Sequence, residues 1–516
     1  MSAPIDHLPV LPIVLPLALG AAMLLIDENR HRVKAAWSML GTLALVAVAL
    51  LLLARVETPV TQVYPIGNWP APFGIALVAD RLGALMVLLA ALLGLAALAF
   101  SLARWHRFGP HFHTLLQLLL AGLNGAFLTG DLFNLFVFFE LLLAASYGLA
   151  LYGGGVPRVQ SSLHYVAVNL TASLLFLIGV SLIYGVAGTL NMADLAVRVP
   201  SIAAEDLVLF EIGAAALGVA FLVKAGMWPL GFWLVPAYSA ASAPAAALFA
   251  ILSKVGVYAV LRVWLLVFGG ADEEALLIYG GMATLLYGFV GVLAAQELAR
   301  IAGYSLFISS GTLLAAIGMG GVATMGAALY YLVASTLGIA AFFLLVELIE
   351  RAREPGADVL AVTAQAFGLA GEEPEEEVGV IIPATRAVLG ISFACCALVI
   401  AGLPPLPGFI GKFAILASLL GVDPVPQTAW WMLALLVVSG LAATIALARA
   451  GIRVFWVRPE RDMPRVRVIE IAPVAVLLLA CIALTIWAAP AMRYMEDAAR
   501  TVQAPAPYVE EVIPAK

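Results

Sequence analysis

Three lysines and one glutamate stand in stretches as apolar as a bilayer interior, and their types and spacing could do chemistry. Gly218–Arg262 reads GVAFLVKAGMWPLGFWLVPAYSAASAPAAALFAILSKVGVYAVLR, with Pro229, Pro236 and Pro244 between Lys224 and Lys254. Lys412 follows AGLPPLPGFIG, and Glu140 lies inside GDLFNLFVFFELLLAASYGLALYG. An amine at mid-membrane depth costs about 2.5–3.5 kcal/mol on insertion scales, so it is kept for use or for a partner. Proline in an apolar span removes a backbone donor and breaks or bends the helix, which suits places where freed carbonyls line a cavity. Charged groups beside broken membrane helices are materials of an ion path, and proton transfer is the chemistry they offer. The blander reading is that the lysines reach the headgroups from helix ends. Lys254, about eleven apolar residues into its span, is too deep for that.

Glu140 lies about eight residues into its span, roughly 12 Å deep. A lone carboxylate there would be costly, whereas beside Lys224 it can ionise as a pair in which each group sets the proton affinity of the other. Pairing for packing alone is the alternative. Lys254 and Lys412 extend the row along the midplane, where a desolvated amine gives up its proton more easily. His164 opens an apolar span and reads equally as an interfacial residue or a relay member. Asp131, Glu211 and Glu347 fall near predicted helix ends and read as caps or rim charges.

The elements that must position these groups are membrane helices. The chain has 516 residues, 64% hydrophobic and 11% charged, with a mean hydropathy of +1.06. A soluble domain is nearer half apolar and a quarter charged. Spans are expected near 8–26, 35–54, 78–103, 113–130, 132–152, 163–187, 206–228 continuing brokenly to about 241, 243–268, 275–295, 301–319, 324–347, 386–420 (broken), 429–448 and 470–490. About fourteen transmembrane helices make an all-α integral membrane protein with both termini on one side. The first run, lacking a basic flank and a small-residue cleavage site, reads as a retained helix. Sixteen of the 26 Lys and Arg fall in the loops on the side away from the termini. The positive-inside rule therefore puts both termini outside.

Two loops are long. Thr58–Pro72 is expected as an ordered external lid, and residues 350–386 as a cytoplasmic loop whose acidic run Glu372–Glu377 is a solvated turn. Residues 357–370 could lie on the membrane surface as an amphipathic helix, and the basic cluster Arg449–Arg467 reads as a headgroup anchor. No basic stripe suggests nucleic acid, and no nucleotide, phosphate-loop or metal motif is present. Cys395, Cys396 and Cys481 lie in apolar spans and read as small packing residues. No cofactor and no metal are expected.

An internal likeness joins the two breaks. Ala225-Gly226-Met227-Trp228-Pro229-Leu230-Gly231-Phe232 resembles Ala401-Gly402-Leu403-Pro404-Pro405-Leu406-Pro407-Gly408-Phe409, each with a lysine nearby. Two units of five spans would insert with opposite topology as an inverted repeat whose paths meet at mid-membrane. The expected organisation is residues 1–112 as N-terminal helices, 113–268 as the first repeat, 275–455 as the second, and 456–516 as a C-terminal helix and tail.

FFELLL around Glu140, LVKAGMWPLGFWLVPAYSAASAPAAA and FAILSKVGVY around Lys224 and Lys254, and AGLPPLPGFIGKF around Lys412 together resemble the antiporter-like subunit superfamily. That group holds the Mrp-type multisubunit sodium/proton antiporters and the proton-pumping membrane subunits of respiratory complex I. The likeness spans roughly 70–490. VGVIIPATRAVLGISFACCALVIAGLPPLPGFIGKF and YLVASTLGIAAFFLLVELIER are similar to the Mrp D (PhaD) type. The resemblance implies that Glu140 and Lys224 are the paired charge of a first half-channel, Lys254 a bridging lysine and Lys412 the terminal lysine of a second. Complex I relatives carry histidines in the middle of the relay, where this chain offers Ser309, Ser335 and Ile339. The middle would then run through water held by Tyr304, Ser309, Ser310, Ser335 and Thr336.

The expected function is proton translocation within a monovalent cation (sodium)/proton antiporter. Its partners would be A, B, C, E, F and G-type subunits, protons, a monovalent cation and the lipids of a bacterial inner membrane. The alternatives are a proton-pumping arm subunit of a quinone-linked NADH dehydrogenase-like complex, and a scaffold whose charges only hold partners.

Overall fold

The computed structural model describes residues 7–56, 61–268, 274–351, 384–456 and 466–513. The acidic run Glu372–Glu377 and the segment 357–370 lie outside these residues.

The helices in chain order are α1 (Leu11–Leu24), α2 (His31–Arg55), α3 (Arg81–Ser101), α4 (Phe112–Leu128), α5 (Leu132–Leu151), α6 (Val156–Ala187) and α7 (Met192–Arg198). Then come α8 (Ala204–Ala225), α9 (Leu234–Ala240), α10 (Ala243–Ala259), α11 (Glu274–Ala294), α12 (Leu298–Met319) and α13 (Val322–Glu350). The last six are α14 (Ala384–Ala401), α15 (Pro407–Leu420), α16 (Gln427–Phe455), α17 (Val468–Ile486), α18 (Ala488–Gln503) and α19 (Pro505–Val512). Beyond Ala259, α10 passes through a π-turn, Val260–Trp264, and continues to Val267.

Among the described residues, twelve helices are long and apolar enough to cross a membrane, and Leu11–Leu24, Phe112–Leu128 and Pro407–Leu420 are shorter apolar helices. The protein is therefore a multi-pass helical membrane protein. α10, α12 and α13 are buried over 89%, 94% and 94% of their apolar windows, against 33% for α2 and 39% for α6, α8 and α16. The centre of the bundle is thus α10–α12–α13, and the peripheral helices turn leucines such as Leu40, Leu170 and Leu441 outward as a lipid-facing surface requires.

Two helices break in the same way. α8 ends at Gly226 (φ 74°) and α14 at Gly402 (φ 75°), a left-handed backbone that glycine adopts without a Cβ penalty. At the first break Met227 N donates to Leu222 O at 3.0 Å, and at the second Leu403 N donates to Leu398 O at 3.0 Å. This six-to-one bond closes a helix C-terminus. Prolines follow at both places and prevent the helix from resuming at once.

Two expectations change. The lid is ordered over residues 61–72, but it contains strand β1 (Gln62–Pro65), which pairs antiparallel with β2 (Ala76–Ala79) in the register Gln62↔Ala79. Among the described residues the fold is therefore helical with one hairpin. The strands escaped notice because Ala76–Ala79 is apolar and runs straight into α3, with only Asp80 between them as N-cap. The tail after residue 490 folds as α18, which buries Met495, Ala498, Ala499 and Val502 on one side, and α19. A polar opposite face kept that stretch from reading as a span. Arg449, in the basic cluster expected to anchor at headgroups, is exposed and donates to Leu293 O at 2.8 Å and Ala295 O at 3.0 Å, closing the end of α11, while residues 457–465 of that cluster lie outside the described residues.

Candidate functional site

The first break positions Lys224. It lies two residues before Gly226 on the last turn of α8, 5% exposed, with Nζ 5.4 Å from the Phe139 ring centre. Gly256 of α10 packs there, and a Cβ on it would collide with the Ala225 backbone. Glu140 follows Phe139 on α5 and is the carboxylate whose charge acts on Lys224. Lys224 Nζ and Glu140 Oε1 are both buried without a hydrogen-bond partner, and no ion pair within 4.0 Å joins them. The two are electrostatic neighbours, not a closed pair. Tyr147, two turns along α5 from Glu140, adds another buried unpartnered hydroxyl that the sequence reading missed.

Lys254 is fully buried on α10. Its Nζ donates to Ser309 Oγ at 2.7 Å and to Ser310 Oγ at 3.4 Å, both on α12. Ser309 lies 2.8 Å from Ser335 Oγ on α13, and Ser335 donates to Leu332 O at 3.2 Å. A hydroxyl that accepts from an amine keeps its own proton to donate onward. Lys254, Ser309 and Ser335 thus form one hydrogen-bonded row across three helices, which ends on the Leu332 carbonyl of α13. Thr336 turns away to Leu332 O at 2.6 Å on its own helix.

The second break positions Lys412. On α15, 6% exposed, its Nζ donates to Ala401 O at 3.0 Å, a carbonyl that the end of α14 leaves free. A Cβ at Gly402 would lie 3.0 Å from that Nζ. Tyr331 is an α13 residue that meets the helix of Lys412. It sits one turn from Ser335 on α13 and packs on Gly411, where a Cβ would lie 2.9 Å from the Tyr331 Cβ. Nothing in the sequence singled it out, because a tyrosine in an apolar helix reads as packing.

Two candidate relay residues are not brought to this row. His164 is exposed on α6, its ring 6.0 Å from Phe232. Tyr304 is half-buried against Tyr287, with ring centres 6.0 Å apart. Asp131 is a cap as expected, accepting from Asn134 N at 2.9 Å, and Glu211 is exposed on α8. Glu347 is more than a rim charge, since it accepts from Trp105 Nε1 at 2.6 Å and Arg351 at 3.0 Å. Arg262, which falls inside the expected span 243–268, is buried there. It pairs with Asp80 through both oxygens at 2.7 Å.

Buried amines thus stand at two matching helix breaks, with Lys254 and its serine row at the bundle centre between them in sequence. The family model described as NADH:quinone oxidoreductase/Mrp antiporter, transmembrane, matches residues 129–442, which contain Glu140, Lys224, Lys254 and Lys412. A Rhizobium meliloti protein, described as the D component of a probable K+/H+ antiporter, is 56% identical over 99% of this chain and 98% of its own. This chain belongs to the Mrp antiporter D-type family. The D components of the Na+/H+ antiporters of Bacillus subtilis and Alkalihalophilus pseudofirmus are 34% and 33% identical, each over 98% of this chain and 99% of theirs. Among solved structures, the Mrp complex from Dietzia has a chain of the same fold, with a TM-score of 0.86 at 24% identity over 99% of this chain and 100% of that one. A chain of respiratory complex I from Thermus thermophilus shares the fold at a TM-score of 0.77 and 23% identity, covering 98% of this chain and 100% of that one.

Proposed function

We propose that this D-type chain carries protons for a multisubunit monovalent cation/proton antiporter, through Glu140, Lys224, Lys254 and Lys412. The observation that carries this reading is the wire from Lys254 through Ser309 to Ser335. It leads away from the first break toward the helix packed on the second. A proton arriving at the Glu140–Lys224 neighbourhood alters the charge facing Lys254. Lys254 then exchanges its proton with the hydroxyl row, and Lys412 completes the transfer beside the carbonyls of the second break. The likeness of the two breaks supports two inverted repeats over 113–268 and 275–455. The chain is a transporter subunit and not itself an enzyme. It works with the other antiporter subunits in a bacterial plasma membrane with both termini outside, as the basic loops support.

The cation is open to a direct choice, because the relatives are described with K+ in one case and Na+ in others. The test is cation-driven collapse of a pH gradient in everted vesicles that hold the whole complex. Wild type should respond to Na+ or K+, and Lys224→Ala, Glu140→Ala and Lys254→Ala should lose the response while the complex still assembles. Full exchange in any of the three would remove that residue from the path. A pH gradient that depends on this chain only under NADH oxidation, and ignores added cations, would favour a redox pump instead.

A further inference from the structure

Lys254, Tyr258 and Arg262 follow one another at four-residue spacing on a single face of α10, running from the bundle centre toward the end that carries α18 and α19. Their chemistry differs. Lys254 donates into the serine wire. Tyr258 has no freedom to relay, because its hydroxyl donates to Phe127 O at 2.7 Å while accepting from Arg262 Nε at 3.2 Å. Arg262 cannot relay at all, since a guanidinium does not give up its proton in a protein.

The surroundings close the same direction. Arg262 is 5% exposed and Asp80, the N-cap of α3, 2%. The guanidinium lies 5.5 Å from the Tyr258 ring centre and 5.6 Å from that of Tyr508, a residue of α19 that is 2% exposed. Arg81, beside Asp80, pairs with Asp497 of α18 at 2.7 Å, and Tyr494 donates to Arg81 O at 3.0 Å. Between this clamp and the serine wire is a gap of about 10 Å³ lined by Leu82, Met86, Leu261, Leu313 and Leu329, too small and too apolar to hold a water file. The π-turn Val260–Trp264, a feature that often marks functional positions, falls where Arg262 meets Asp80.

We propose that Arg262, clamped by Asp80 and covered by Tyr508, is the insulating residue of the path. Its fixed positive charge keeps protons held at Lys254 from escaping along α10 to the end carrying α18 and α19, so that they leave only through Ser309. Asp80 is needed to hold the guanidinium, but freed of it the carboxylate would be a proton acceptor facing Tyr258. The pair is therefore functionally lopsided, and loss of the arginine opens a leak whereas loss of the aspartate does not. This rests on the proton path proposed above.

The experiment uses everted vesicles holding the whole complex. Decay of the pH gradient is followed first without Na+ or K+, which reads the leak, and then after adding the cation, which reads exchange. Arg262→Gln should speed the cation-free decay about tenfold, the factor for one unit charge roughly 12 Å from Lys254 at an effective dielectric near 20. Asp80→Asn should leave that decay at the wild-type rate, and Arg262→Lys should restore most of the seal. Wild-type decay in Arg262→Gln would overturn the proposal, as would equal leaks in Arg262→Gln and Asp80→Asn. Where the single variants fail to accumulate, the neutral double variant Asp80→Asn/Arg262→Gln keeps the shape without the charges. With the net charge facing Lys254 unchanged and no carboxylate left to accept a proton, it should decay within about twofold of wild type, and a leak of about tenfold would overturn the proposal too. If Lys254→Ala keeps full exchange, the path reading fails instead, whatever the leak.

Discussion

Lys254 Nζ and Ser309 Oγ stand 2.7 Å apart in the most deeply buried part of the bundle, and Ser309 continues to Ser335 at 2.8 Å. The ammonium thus has neutral partners only, two serine hydroxyls, and among the described residues no carboxylate pairs with it. Neutral partners hold an ammonium less firmly than a carboxylate does. That leaves it free to release a proton along the wire. Ser309→Ala should lower cation-driven exchange about 10- to 100-fold, because a buried donor left without its acceptor costs about 1–3 kcal/mol. Ser310→Ala should stay within about twofold, since at 3.4 Å its hydrogen bond is weak. Exchange assays at matched complex levels separate the two, and equal effects would contradict the wire.

Tyr331 packs on Gly411 of the Lys412 helix one turn from Ser335, and its hydroxyl is hydrogen-bonded with Thr312. Tyr331→Phe keeps the packing on Gly411 and removes only the hydroxyl. It should lower exchange by roughly tenfold with little change in thermal stability, the pattern for losing one hydrogen-bonding group from a path. Parallel thermal-unfolding and exchange measurements on the purified complex check this, and unchanged exchange would limit Tyr331 to packing.

Gly402 has a φ of 75° and leaves no room for a Cβ, which would meet Lys412 Cδ at 2.7 Å and Nζ at 3.0 Å. Gly402→Ala should destabilise the protein by about 1–2 kcal/mol from backbone conformation alone. Because the clash moves the Lys412 amine off Ala401 O, exchange should fall further than stability does. Gly390→Ala in α14 is the control. A Cβ there meets nothing within 4 Å, so it should be neutral or slightly stabilising.

His106 lies in the turn between α3 and α4, where burial, the main cause, and the nearby Arg107 and His31 charges hold its imidazole below the usual histidine range. Its Nδ1 is 3.0 Å from Ser101 O, and Arg107 Nε donates to its Nε2 at 3.2 Å, an arrangement that suits the neutral ring. A histidine depressed in the folded state binds more protons when unfolded, so its contribution is present above about pH 6.5 and is lost as the pH falls. Thermal midpoints of the purified complex should therefore drop on acidification from about pH 7 to 5, and His106→Gln should flatten that slope. An unchanged slope in the variant would assign the acid sensitivity elsewhere.

The sequence by itself determined the membrane class, most helix positions, the two breaks and the four charges set in apolar spans. Each of these is a local property. An apolar run commits a segment to the bilayer, a Gly-Pro cluster ends a helix wherever it falls, and a lysine within such a run is conspicuous because it is costly. What a side chain touches across the bundle is not local, and only the tertiary structure decided it. It put Ser309 and Ser335 on the Lys254 amine, left Lys224 and Glu140 as neighbours without a contact, and turned His164 out to the surface. It also drew Arg262 inward onto Asp80, 182 positions away in the chain. The hydropathy around Arg262 resembles that of a helix end, and burying its charge is tolerable only because a carboxylate from another helix meets it there.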